Sequence, residues 1–355
     1  MNPRERVLTA LGRAEPDRVP VFYRDVSEVG ARLIRELGLR DREDLLRFFE
    51  VDFRWIGPDY VGPPLEDAQS GVKRDIWGVP HKYMSFSETA GYWEVESHPL
   101  ENCDDPNDLD DYQWPSLDWF DFSTLKDQVA GYDDFAIMNA PDYSSPGILQ
   151  CPIQKLVGDE KGLIDMAANP DFFDALVSRI QEFQLPFVDR MLSAAGGRID
   201  FFRIGDDFGT QRALLISPEM WRRRIQPALR ALVDVAICHG AHCYLHSCGA
   251  VGDLIPDFVD TGIEVLDPVQ VKAAGMEPKS LKAQHGDKMC FSGGVDEQQL
   301  LSKGTPRQVR EGVFQLLDDM ARGGGFFVGP THNLQDDIPT ENIVAMYDAA
   351  RNWSY

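Results

Sequence analysis

The sequence predicts an α/β fold, a (β/α)8 TIM barrel. Three observations carry that reading: short apolar runs alternating with helical stretches, polar and glycine-rich residues after one run after another, and a length suited to one such barrel. Beyond residue 130 the runs fall at 135–138, 199–204, 241–245, 263–266, 288–291 and 325–328, with helical stretches at 170–194, 218–239 and 305–322 between most of them. Strand and helix in strict alternation build a parallel sheet. The last five runs are followed by Gly205-Asp206-Asp207, His246-Ser247-Cys248-Gly249, Asp267-Pro268-Val269-Gln270, Ser292-Gly293-Gly294-Val295-Asp296 and Gly329-Pro330-Thr331-His332-Asn333. In a barrel all strand C-termini converge on one face, where active sites lie. A doubly wound sheet would need such residues only at its switch point. Five loaded ends favour the barrel, and 355 residues suit a single domain spanning 1–355.

The N-terminal third is less regular. Residues 3–13 read as an amphipathic helix with Val7, Leu8 and Leu11 on one face, and Glu15-Pro16-Asp17 ends it. Val19-Pro20-Val21-Phe22 then reads as a first strand. Residues 70–98 carry two β pieces around turn residues, Asp75-Ile76-Trp77-Gly78-Val79-Pro80 and Gly91-Tyr92-Trp93-Glu94-Val95, which predicts a β-hairpin excursion from the barrel. Residues 101–122 contain eight acidic side chains with Pro106, Trp114 and Pro115 among them. An irregular surface connection anchored by its aromatics is expected there.

Composition narrows the function. The chain has 43% hydrophobic and 26% charged residues, ordinary for a globular protein. A net charge of −23 repels phosphate backbones and anionic lipid, so neither nucleic acid nor a membrane surface is an expected partner. No apolar run reaches a membrane span and the N-terminus lacks a signal-peptide core, so a cytoplasmic location is expected. In that setting the six cysteines read as buried thiols or metal ligands rather than disulfides.

The sharpest local signal is His246-Ser247-Cys248. In extended chain residues i and i+2 face the same side, so an imidazole and a thiol reach toward one point. Zinc favours nitrogen and sulfur ligands, and a catalytic site needs about three protein ligands and an open position. A buried thiol beside a structural histidine is the competing reading of so short a motif. His332 is the natural third ligand from another strand end, and Asp206, Asp207 or Asp267 could add an oxygen. Asp206-Asp207 reads equally as a loop cap or a ligand-contacting pair. Cys243 has the opposite parity to His246 and belongs to the helix layer, while Cys290 reads as core. No GxGxxG opens a βαβ unit, and neither GxxxxGK[ST] nor GxSxG occurs, which leaves nucleotide-binding and serine-hydrolase chemistry without a foothold.

Several pieces, in order and spacing, match a known pattern. They are Pro3-Arg4-Glu5-Arg6-Val7 through Glu15-Pro16-Asp17-Arg18-Val19-Pro20, then Asp75-Ile76-Trp77-Gly78, then 205–211 with Ser217-Pro218-Glu219. His246-Ser247-Cys248-Gly249, Asp267-Pro268-Val269-Gln270, Pro330-Thr331-His332-Asn333 and Pro339-Thr340-Glu341-Asn342-Ile343 follow. On these the chain resembles the uroporphyrinogen decarboxylase superfamily over nearly its whole length, which implies a (β/α)8 barrel. The decarboxylases themselves carry an arginine-rich MRQAGR-like segment near the N-terminus that grips substrate carboxylates. Here residues 21–27 offer only Arg24, too little charge for a substrate with many carboxylates.

The second branch of that superfamily comprises corrinoid-protein-dependent methyltransferases, acting on coenzyme M, chloromethane and methoxylated aromatics. Their zinc is held by an H-x-C pair and a later Cys near the last strand. His246 and Cys248 match the pair, and His332 stands where the later Cys would be. The resemblance therefore implies zinc on His246, Cys248 and His332, and methyl transfer between a small substrate and a corrinoid (cobalamin) on a partner protein. O-demethylation of a methoxylated compound, aromatic ones included, is the favoured direction. Asp206, Asp207 and Gln211 are then expected as catalytic residues, with Trp77, Asp267, Gln270 and Asn333 against the substrate. The resemblance also makes a homodimer plausible. The alternatives are a metal-independent decarboxylase of another acid and a non-enzymatic corrinoid-protein chaperone.

Overall fold

A computed structural model describes residues 1–66, 71–85 and 91–355, apart from the Tyr92 side chain. Its strands are β1 (Phe53–Ile56), β2 (Asp59–Tyr60), β3 (Lys73–Arg74), β4 (Pro80–Ser85), β5 (Gly91–Val95), β6 (Phe120–Asp121), β7 (Ala136–Asn139), β8 (Phe201–Gly205), β9 (His242–His246), β10 (Val265–Asp267), β11 (Cys290–Val295) and β12 (Phe326–Pro330). Seven form one parallel sheet in the order β1-β7-β8-β9-β10-β11-β12. The remaining gap is filled by residues 19–22. Val21 makes a parallel bridge to Val328, Phe22 donates its N–H to the Val328 carbonyl, and Asp52 donates its own to the Val21 carbonyl. Pro20 has no N–H to give, and the Val21 N–H goes to the Asp52 carboxylate at 2.7 Å. The eighth strand is thus shortened to one bridge, and the TIM barrel closes.

Side-chain parity sorts the core into two layers. Phe53, Ala136, Met138, Phe201, Tyr244, Val265, Cys290 and Phe327 point inward and form one cluster. Alternate residues such as Phe202, Cys243 and Leu266 join the larger cluster between sheet and helices. Cys243 and Cys290 occupy the places that parity assigns them. The helix Pro3–Leu11 closes the barrel floor, where Val7, Ala10 and Leu11 join the inner cluster. Pro at its start and an Asn2–Glu5 capping box set its N-terminus.

The expected helices appear as Pro170–Ala194, Pro306–Met320 and, for 218–239, two helices separated at Ile225, Pro218–Arg224 and Gln226–Cys238. The excursion is a three-stranded antiparallel sheet, β3-β4-β5, its residues 70 and 86–90 lying outside those described. The acidic connection is irregular as expected, and Trp114 anchors it by donating to the Leu109 carbonyl and packing edge-on to Tyr112 and Trp77. Among the described residues no helix is long and apolar enough to cross a membrane.

Candidate metal centre and substrate cavity

The register places inward-facing residues of neighbouring strands side by side at the barrel mouth: Gly205 pairs with His246, and His246 with Asp267. The chain beyond β9 is strapped down on both sides. Asp206 donates its N–H to the His246 carbonyl and Ser247 donates to the Asp267 carbonyl, while the Ser247 hydroxyl accepts from the Phe208 N–H. Gly249 turns the chain with a φ of +90°, and a Cβ there would lie 2.4 Å from the Gly209 backbone. Only glycine permits both the conformation and the approach. Gln270 fixes this turn, its side-chain oxygen accepting the Gly249 N–H at 2.6 Å.

Within this frame His246 and Cys248 meet, with Cys248 Sγ 3.6 Å from His246 Nε2. Asp207 joins them: one ligand atom from each of Asp207, His246 and Cys248 lies within 4.8 Å of the others. Asp207 is positioned by the Cys248 N–H, donated to Oδ1 at 2.8 Å, and by the Gln150 amide on Oδ2. Behind His246, Nδ1 lies 2.9 Å from Asp267 Oδ2. Arg24 Nη1 donates to the same oxygen at 2.7 Å, and its Nη2 donates to the Thr331 carbonyl. Burial would raise the Asp267 pKa, yet Arg24 and His246 hold it well below the ordinary carboxylate range. An ionised carboxylate only accepts, so the Nδ1 contact is a hydrogen bond when Nδ1 carries the proton. Arg24 Nη1, a donor only, also lies 3.0 Å from Nδ1 and competes for it; in the ring form that pairs Nδ1–H with Asp267, the Nε2 lone pair faces Cys248 and Asp207. Burial, with Arg203 and Arg24 nearby, lowers the His246 pKa and favours the neutral ring. Burial and Asp207 push the Cys248 thiol far above its usual value. A cation reverses that balance, and the nitrogen, sulfur and oxygen donor set with a carboxylate-held histidine fits zinc.

His332 stands at the rim, its ring centroid 6.4 Å from that of His246 and its side chain 45% exposed. Desolvation and Arg24 lower its pKa to about 4, which favours the neutral ring. Asp207, rather than His332, completes the tight cluster. Asp206, expected beside Asp207 as a catalytic residue, is fully buried with its carboxylate turned away. It accepts the N–H groups of Ile148 and Leu149 on Oδ2 and Gln150 on Oδ1. Burial pushes its pKa up to about 7 against those three donors. Gln211 also departs from expectation. Its side chain is exposed on a turn closed by the Gly209–Leu214 bridge, and its carbonyl accepts from Ala274. Asn333 is half-buried next to His332.

A cavity of about 670 Å³ opens beside His246. Trp77, Tyr143, Phe183 and Phe187 give it an apolar wall, and Trp77 is held edge-on to Phe183. Two groups were not singled out as site residues. Glu297, after β11, has its pKa raised to about 7 by burial; its Oε1 lies 4.0 Å from His332 Nδ1, and its Oε2 is buried without a partner among the described residues. Arg203, inward on β8, lines the cavity floor; its polar position between apolar Phe202 and Ile204 was the available signal.

A methyltransferase from Methanosarcina mazei shares the fold, with a TM-score of 0.71 and 18% identity over 99% of this chain and 98% of that one. A D-psicose 3-epimerase from Clostridium cellulolyticum H10 gives 0.41 and 12% over 66% and 84%, respectively. A sugar phosphate isomerase/epimerase from Parabacteroides distasonis gives 0.42 and 9% over 95% and 96%. Among curated proteins no sequence matches. The sequence model of uroporphyrinogen decarboxylase (URO-D) matches residues 155–353, more than half of the chain, and the chain belongs to that family.

Proposed function

We propose that the chain is a zinc-dependent methyltransferase that moves a methyl group between a small substrate in the cavity and a corrinoid cofactor carried by a partner protein. The carrying observation is the approach of three different donors, from Asp207, His246 and Cys248, to within 4.8 Å of one another. Three ligands leave a position open for substrate. The fold shared with the Methanosarcina mazei methyltransferase supports the reading. So does the hairpin beside the cavity, where Tyr83, Met84 and Trp93 are exposed and offer an apolar rim for a partner.

On this reading Asp267 holds His246 in the tautomer that presents Nε2, and Arg24 keeps Asp267 ionised. Asp207 and Cys248 supply the remaining donors, with His332 the next donor outward. Trp77, Phe183 and Phe187 seat the flat body of a methoxylated aromatic substrate and exclude water from the reacting end. When bound, zinc supplies Lewis acidity, which weakens an ether's hold on its methyl group or keeps an acceptor thiol as thiolate. The partner's corrinoid supplies the methyl-carrying centre.

The test is the zinc content of the purified wild type beside Cys248→Ala, Asp207→Ala and His332→Ala, with methyl transfer to a corrinoid protein as the second readout. Stoichiometric zinc in the wild type, lost in Cys248→Ala, is expected. Equal zinc in all four proteins overturns the site. Turnover of an acid that survives a chelator points instead to a metal-independent decarboxylase.

A further inference from the structure

The alternation along β8 turns Phe201, Arg203 and Gly205 inward, and Arg203 sits directly above the apolar floor of the barrel. Four arginines are buried among the described residues: Arg6, Arg24, Arg54 and Arg203. Arg6 is paired with Asp17 and Asp52, Arg24 with Asp267, and Arg54 with Glu43. Arg203 has no carboxylate within 4.0 Å among the described residues. Among the described residues its side chain donates only to the Ser145 hydroxyl, at 2.6 Å. A buried guanidinium with one neutral partner is costly, because desolvation is not offset by an opposite charge.

Nearby acids are committed elsewhere. Asp267 serves Arg24 and His246, and Asp207 takes the Cys248 N–H and the Gln150 amide. Of the other cations on the cavity wall, Lys155 lies 3.8 Å from Asp75 and Lys73 lies 3.6 Å from Glu66, while Arg74 is exposed to water and donates to the Gly78 carbonyl. Among the described residues Arg203 is therefore the buried cation of this cavity whose charge is unmatched. Gly205 keeps the approach open. A Cβ there would stand 3.0 Å from Arg203 Nη1 and 3.4 Å from Ser145 Oγ. Burial and the charge of Arg24 already lower the Arg203 pKa, a tendency that a bound anion would reverse.

We infer that Arg203 is the anion-recognising residue of this cavity, and that its ligand is a carboxylate attached to a flat apolar body, an aromatic carboxylic acid. The guanidinium fork matches a planar carboxylate, and the aromatic wall of Trp77 and Phe183 matches the ring. Lysine at this position would provide charge without the fork. The inference rests on the cavity being the substrate site of the proposed enzyme, and it specifies which methoxylated compounds enter.

The experiment measures calorimetric binding of 4-methoxybenzoate and its neutral isostere 4-methoxybenzamide to the full-length protein. Wild type is expected to prefer the carboxylate at least about tenfold, the range of a charge-assisted hydrogen bond. Arg203→Gln should erase that preference, Arg203→Lys should restore part of it, and Lys155→Gln should leave it in place. If Arg203→Gln does not fold, Gly205→Ala serves, since its methyl group crowds the guanidinium and should weaken carboxylate binding selectively. The inference is overturned if wild type binds neither compound, if it shows no preference, or if Arg203→Gln or Gly205→Ala retains the full preference. Methyl transfer from ethers without carboxylate preference would sink Arg203's role and leave the methyltransferase reading. Carboxylate preference without methyl transfer would do the opposite.

Discussion

Asp267 and His246 face each other across adjacent strands, paired in register and joined at 2.9 Å between Oδ2 and Nδ1. The pairing favours the ring form with Nε2 free, against the Arg24 donor 3.0 Å from the same Nδ1, and it ties the proposed metal site to the barrel rather than to its loops. Asp267→Asn keeps the shape but removes the charge that favours this ring form and balances Arg24. Zinc affinity is expected to fall by about 10–100-fold, the usual cost of losing such an outer partner. Competition against a chromophoric chelator measures this, and an unchanged affinity would show that Asp267 only neutralises Arg24.

The adjacent aspartates should behave as opposites. Asp206→Ala leaves the buried N–H groups of Ile148 and Leu149 without an acceptor, each costing about 1–3 kcal/mol, and frees the partly buried one of Gln150. A loss of about 3 kcal/mol or more in unfolding free energy is expected, with zinc still bound by whatever protein remains folded. Asp207→Ala should lose zinc and activity with little change in denaturant midpoint. Reversal of the pattern would exchange their roles.

Gln211 supplies a negative control. Its side chain is exposed on the far side of a closed turn, so Gln211→Ala should leave kcat/KM for any accepted methyl donor within about twofold, as surface substitutions generally do. A hundredfold drop would require the 209–214 turn to fold over the cavity during turnover.

The barrel was legible because its later strands announce themselves as apolar runs between helices, and because each run hands over to polar residues. Strand β1 was not. Its Phe-Arg-Trp-Ile run is interrupted by Arg54, which is buried through bonds to Glu43 and to two carbonyls. Such compensation depends on a neighbouring helix and leaves no periodic trace. His246 and Cys248 were readable from spacing alone, since two-residue parity survives at a strand end. The choice between Asp206 and Asp207 was not, because neighbouring acids point to opposite sides and only the 148–150 segment reveals which side is occupied. Arg24 was visible only as a remnant of another pattern, and its partners Asp267 and Thr331 lie 243 and 307 residues away. Long-range pairing of this kind is a property of the closed barrel.

The opposite end of the same strand carries a pH-dependent contact. His242 Nδ1 lies 3.0 Å from Glu264 Oε2 at the barrel floor. The hydrogen bond to Glu264 raises the histidine pKa against partial desolvation. A folded-state pKa above the unfolded value near 6.5 means the pair stabilises fully below that pH, and the contribution fades as pH rises through the folded value. Both side chains are more than a third exposed, so solvent screening holds the effect to about 0.5 kcal/mol. Glu264→Gln should therefore lower the unfolding midpoint at pH 5.5 and have almost no effect on it at pH 8.5. Salt should shrink the difference, as it does for exposed pairs. Urea titrations of both proteins at the two pH values check this. An equal loss at both would assign Glu264's contribution to its uncharged bond with the Cys243 N–H and remove His242 from the pH response.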